Sequence, residues 1–92
     1  MLNKRIHELR MSHGWSQVEL AKKLNISKQA VSNRENDNIQ PSIEMLIKLS
    51  ETFNVTTDYL LGLENIPRIN VDGLTPSEVA HLSLLIEDFR AR

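Results

Sequence analysis

The stretch SQVELAKKLNISKQAVSNRE, Ser16–Glu35, decides the fold. It reads as two short helices joined by a tight turn. Ser16 and Glu19 form the S-x-x-E pattern of a capping box, and Trp15 is placed to staple onto Leu20 across that cap. Leu20, Ala21 and Leu24 make an apolar stripe, while Glu19, Lys22 and Lys23 point outward. Asn25 stands where a helix end needs a left-handed residue, which Asn tolerates better than most. Ser27 then caps the second helix, with Ile26 and Val31 as its staple. So short a turn makes the helices cross steeply, and Ala21 is small enough to let them approach. The pattern is a helix-turn-helix.

The second helix carries an unusual polar face. At roughly 100° per residue, Lys28, Ser32, Asn36, Gln29 and Asn33 fall within an arc of about 140°. An ordinary solvated face is rich in Lys and Glu. This one offers amides, a hydroxyl and one cation, with no carboxylate. Amides and hydroxyls both donate and accept, as base edges in a major groove require.

These residues resemble the Xre-type helix-turn-helix regulators, the group that includes the lambdoid phage repressors. The resemblance rests on S-Q-x-x-L-A-x-x-L at Ser16–Leu24, I-S at Ile26–Ser27, V-S-x-x-E at Val31–Glu35, Pro41, and V-T-x-D-Y-L-L-G at Val55–Gly62. It implies that the second helix lies in the major groove, with Lys28, Gln29, Ser32 and Asn33 facing base edges or flanking phosphates. It implies phosphate contacts at Ser16, Gln17, Asn36, Asn38 and Gln40. It also implies that Arg10 and Glu35 form a structural ion pair between the first and third helices. Two positions depart from the pattern. Asn25 replaces the usual turn glycine, and Arg34 stands where an apolar or aromatic residue is usual. The Arg34 stem can cover the core while its guanidinium reaches solvent or a phosphate.

The remaining residues support an all-α architecture: a five-helix repressor-like domain over residues 1–62, a linker over 63–74, and a C-terminal helix within 75–92. Helix one, Asn3–His13, turns Ile6 and Leu9 inward and ends at Gly14. Helix four, Ser42–Phe53, places Met45, Leu46, Leu49 and Phe53 at helical spacing. Helix five, Thr56–Leu61, contributes Tyr59 and Leu60. The linker contains Pro67 and Gly73, with a short extended piece at Arg68–Val71. Thr75, Pro76 and Glu78 then open the last helix with a capping box and a proline at its first position. Val79, Leu82, Leu85, Ile86 and Phe89 make an apolar seam of about one and a half heptads. A helix this short is marginal alone in water, so the seam needs cover from the parent domain or from a twin. A homodimer suits the function, because a two-fold protein reads an inverted repeat.

The 92 residues carry a net charge of −1, which argues against a nucleic-acid partner. The distribution recovers part of the case: residues 1–40 hold seven Lys/Arg against four Asp/Glu, and residues 41–92 hold four against eight. There are no cysteines, hence no disulfide frame or thiolate site. No apolar run approaches the roughly 20 residues that span a bilayer, and the charged N-terminus is unlike a secretory signal. The expected location is the cytoplasm, without membrane association.

Catalysis has no support in these residues. His7, His13 and His81 are scattered, without metal-ligand spacing, and read as surface or helix-end histidines. No phosphate loop or nucleophile motif occurs, so the sequence implies neither an enzyme nor a cofactor. A sequence-specific double-stranded-DNA regulator, probing an inverted-repeat operator as a homodimeric repressor, is the leading expectation. An antitoxin or other protein-interaction module with secondary DNA binding is the alternative, and a protein antagonist is conceivable under either. RNA binding is weaker, because exposed aromatic residues for stacking bases are lacking; Trp15 and Tyr59 both look structural.

Overall fold

A computed structural model describes residues 2–36 and 40–92. These residues form six helices: α1 (Leu2–Ser12), α2 (Gln17–Leu24), α3 (Lys28–Asn36), α4 (Ile43–Phe53), α5 (Thr57–Leu60) and α6 (Pro76–Arg90). Helix boundaries agree with the sequence to within about a residue.

Capping explains where each helix begins and ends. Ser16 accepts from the Glu19 N–H while Glu19 accepts from the Ser16 N–H, so the capping box closes in both directions. Ser27 Oγ accepts from the Ala30 N–H at 3.0 Å, Ser42 Oγ from Met45 and Thr56 Oγ1 from Tyr59. The α2 and α4 C-termini end alike. Asn25 (φ 55°, ψ 45°) and Asn54 (φ 55°, ψ 44°) both adopt the left-handed conformation. The next residue, Ile26 or Val55, donates back to Ala21 or Ser50 at 3.0 Å and packs on the core. Helix–Asn–Ile/Val–Ser/Thr–helix is thus used twice, each time satisfying orphan carbonyls and driving an apolar residue inward.

Ile6, Leu20, Ala21, Leu24, Val31, Leu49, Phe53 and Leu60 form the core, flanked by Leu2, Leu9, Trp15, Ile26, Met45, Leu46 and Val55. Each fully buried Leu, Val or Phe contributes about 1.5–3 kcal/mol relative to exposure. α1 packs on α3 and α5, α2 on α3 and α4, and α4 on α5. Ala21 is buried on α2, the helix that packs on both α3 and α4. The Trp15 ring stacks on Phe53 at a centroid separation of 5.8 Å, and His13 covers Trp15 at 4.4 Å. Arg5 lies 3.9 Å above the half-buried Tyr59 ring. Trp15 and Tyr59 are therefore structural.

The linker is tied back to the domain. Asn70 donates its N–H to Asn54 Oδ1 at 3.2 Å, Thr56 Oγ1 donates to Glu64, and Glu64 pairs with Arg68. The expected extended piece at Arg68–Val71 adds no strand among the described residues; a side-chain amide substitutes for a neighbouring strand there. α6 opens with its full capping box and Pro76 at the start. Every residue of α6 is exposed or half-buried. Val79 and Leu82 are half-buried, Ile86 is 41% exposed and Phe89 55%. Burial of the seam against its own domain, one of the two expectations for it, is not realised.

Candidate nucleic-acid interface

The polar face of α3 stands on a buried ionic base. Arg10 and Glu35 are 8% and 7% exposed. Arg10 Nε donates to Glu35 Oε2 at 2.6 Å and Nη2 to Oε1 at 3.0 Å, a fork that fixes direction as well as distance. Arg10 Nη1 also donates to the Trp15 carbonyl at 2.8 Å, so the same guanidinium anchors the entry to α2. The ion pair expected between α1 and α3 is present. Burial, the largest single influence on the Glu35 carboxyl, pushes its pKa up. The hydrogen bonds from Arg10 and His7, the Arg10 charge and the Gln17 contact outweigh it and hold the carboxyl below its ordinary value.

His7 is exposed, as a surface histidine should be, yet it also belongs to this cluster, a contact not expected from the sequence. Its Nδ1 lies 2.9 Å from Glu35 Oε1, and against a carboxylate that nitrogen carries the hydrogen. The available signal was spacing: His7 and Arg10 are three apart and share a face of α1. Gln17, assigned by resemblance to a phosphate, turns its amide toward Glu35 Oε1 at 3.5 Å. That contact brings the α2 N-terminus beside the last turn of α3.

Above this base, Lys28 and Gln29 are exposed and Ser32 and Asn33 half-buried, all on one helix. Gln29 Nε2 donates to Asn33 Oδ1 at 2.9 Å, and Asn36 Nδ2 to Ser32 Oγ at 3.1 Å. Four of the five polar residues on the arc are therefore joined in two i,i+4 pairs. Ser16 is exposed at the α2 N-terminus, where backbone N–H groups and the helix dipole favour an anion. Gln40 is exposed, and Asn38 lies outside the described residues. Arg34 is half-buried; its Nε is buried without a hydrogen-bond partner among the described residues, in keeping with a stem that covers core. No group of three His, Asp or Glu among the described residues could hold a metal ion, and no helix among them is long and apolar enough to cross a membrane.

Known proteins share this fold. The helix-turn-helix family profile matches residues 6–60. The HTH-type transcriptional regulator ImmR of Bacillus subtilis is 45% identical over 69 residues, covering 75% of this chain and 54% of ImmR. The antitoxin PezA of Streptococcus pneumoniae is 30% identical over 92 residues, covering all of this chain and 54% of PezA. This chain thus spans about half the length of these relatives. Among solved structures, the biofilm regulator SinR in complex with DNA superposes with a TM-score of 0.61 at 35% identity, covering 66% of this chain and 98% of that one. The P22 c2 repressor bound to a synthetic operator gives a TM-score of 0.61 at 30% identity, covering 65% and 91%. With the motif matched from Ile6 to Leu60, the chain belongs to the Xre-type helix-turn-helix family.

Proposed function

We propose that this protein is a sequence-specific double-stranded-DNA-binding transcription regulator, a repressor that acts in the cytoplasm as a homodimer on an inverted repeat. The observation that carries the reading is the α3 face: amides, a hydroxyl and one lysine, without a carboxylate, on a helix whose direction a buried ion pair fixes. Lys28, Gln29, Ser32 and Asn33 would contact bases; Ser16, Gln17, Asn36, Asn38 and Gln40 would contact phosphates. Gln17 would have to exchange its 3.5 Å contact with Glu35 for the phosphate, a small loss because Arg10 and His7 remain on that carboxylate. Residues 1–62 carry the DNA-binding function, 63–74 connect, and the α6 seam pairs with its counterpart in a second copy. Two half-sites compensate for the modest basic excess of one domain, since phosphate contacts supply much of the affinity. The reading assigns no catalytic role.

Alignment of PezA along the full chain favours one second reading, a protein-interaction module in which α6 meets a different protein. The α3 face supports DNA contact in either case.

Selection of bound sequences from a random double-stranded DNA pool tests the proposal. Enrichment of an inverted repeat is expected. Gln29→Ala with Asn33→Ala should lower affinity for that repeat by about 1–3 kcal/mol per lost base contact. Undiminished affinity in a folded double variant would remove the α3 face from the mechanism. Absence of enrichment by the wild-type chain would favour the interaction module.

A further inference from the structure

The side chains on α3 are not independent readers, and their mutual hydrogen bonds determine what each has left to offer. An amide supplies two N–H donors and one carbonyl oxygen; a hydroxyl supplies one donor and its lone pairs. Gln29 spends one Nε2 hydrogen on Asn33 Oδ1 and keeps the second together with Oε1. Asn33, its oxygen engaged, presents mainly its Nδ2 hydrogens. Ser32, its oxygen engaged by Asn36, presents mainly its O–H. Lys28 has only donors. The base-facing set is therefore donor-rich, with one amide that keeps a donor and an acceptor side by side. Asn36 also keeps its oxygen, but it is the last residue of α3, and the N-terminal residues of such a helix are the ones that reach base edges.

The major groove offers matching partners. Guanine and thymine present acceptors, cytosine presents a donor, and adenine presents a donor and an acceptor together. An adjacent amide oxygen and N–H fit adenine at N6 and N7. Groups with donors alone fit guanine or thymine.

We propose that Gln29 and Asn33 act as one reading unit that selects adenine in the half-site. Gln29 makes both bonds to the adenine. Asn33 holds the Gln29 amide in the orientation that makes them possible and donates to a guanine or thymine beside it. Asn33 is thus a positioning residue for Gln29 as well as a contact in its own right. Pre-orientation matters because an exposed glutamine otherwise gives up rotamer freedom on binding. The inference rests on the DNA-binding reading above and names the base pair that this reading leaves open.

The test is selection from the random double-stranded pool with the full chain, its Gln29→Glu variant and its Asn33→Ala variant. Wild type should enrich an A·T pair at a fixed half-site position. Glutamate keeps an acceptor but cannot donate to adenine N7 or to Asn33 Oδ1, and it can accept from cytosine N4. Gln29→Glu should therefore shift that position toward C·G, with the A-to-C preference changing by about tenfold or more. Asn33→Ala should keep adenine there but weaken its preference ~3-fold or more, while the neighbouring guanine or thymine preference disappears. An enriched motif whose A·T position is indifferent to Gln29→Glu, or is as strong in Asn33→Ala as in wild type, overturns the paired-reader proposal and leaves DNA binding intact. Failure of the folded wild-type chain to enrich any motif overturns both.

Discussion

Glu35→Ala is the most informative single perturbation, because it removes one half of a buried charge pair and strands the other. Arg10, 8% exposed, would lose its bonds at 2.6 and 3.0 Å and keep the Trp15 carbonyl at 2.8 Å and a long 3.4 Å contact to His7 Nδ1, neither of which carries a negative charge. Leaving a buried charge without its partner costs about 3–5 kcal/mol. A domain of about sixty residues has roughly 3–9 kcal/mol of total stability at 0.05–0.15 kcal/mol per residue, so most of it should disappear. Each lost kcal/mol lowers Tm by about 4–8 °C in a domain this small. Arg10→Met with Glu35→Leu removes both charges and should fall within about 1 kcal/mol of wild type or exceed it, as replaced buried pairs often do. Urea unfolding followed by helical circular dichroism gives the stabilities of wild type and of both variants. A cost below about 1 kcal/mol for Glu35→Ala, or a double variant as unstable as the single one, would show that the pair does not hold α1 to α3 in this way. Acid titration adds an independent check. Folded Glu35 binds its proton less readily than unfolded Glu35, so its contribution is complete above the ordinary glutamate range and is lost as pH falls through that range and below it. The charge-free double variant should lack this component of the acid transition.

Two further outcomes follow from local geometry. Asn25 is left-handed at φ 55°, so Asn25→Gly should leave stability within about 0.5 kcal/mol of wild type, whereas Asn25→Val should cost at least ~1–2 kcal/mol in thermal unfolding, because a β-branched residue strains that conformation. Ile86→Lys places a charge in the centre of the α6 seam; if the proposed dimer forms through that seam, sedimentation should show the variant as a monomer, and affinity for an inverted repeat should fall at least ~10-fold while the melting of residues 1–62 is unchanged. A variant that sediments like wild type would remove α6 from self-association.

Sequence alone determined the parts of this protein that depend on neighbours within a few residues. Ser16 with Glu19 and Thr75 with Glu78 closed their capping boxes. Asn25 took its left-handed turn, and the spacing of Leu20, Ala21, Leu24 and Val31 selected the buried face. The Arg10–Glu35 pair was legible only through resemblance, since the two residues are 25 apart and nothing local requires them to meet. Tertiary structure decided the rest. It brought His7 from α1 onto Glu35, 28 residues away, and turned Gln17 inward toward the same carboxylate. It used Asn54 twice, as a second left-handed cap and as the tether for Asn70. It also left the α6 seam uncovered within one chain. Propensity, capping and periodicity act through covalent proximity and can be read along the chain. Which buried charge acquires a third partner, and which apolar stripe goes without one, depends on how the helices cross, and those crossings are fixed only when the whole core packs.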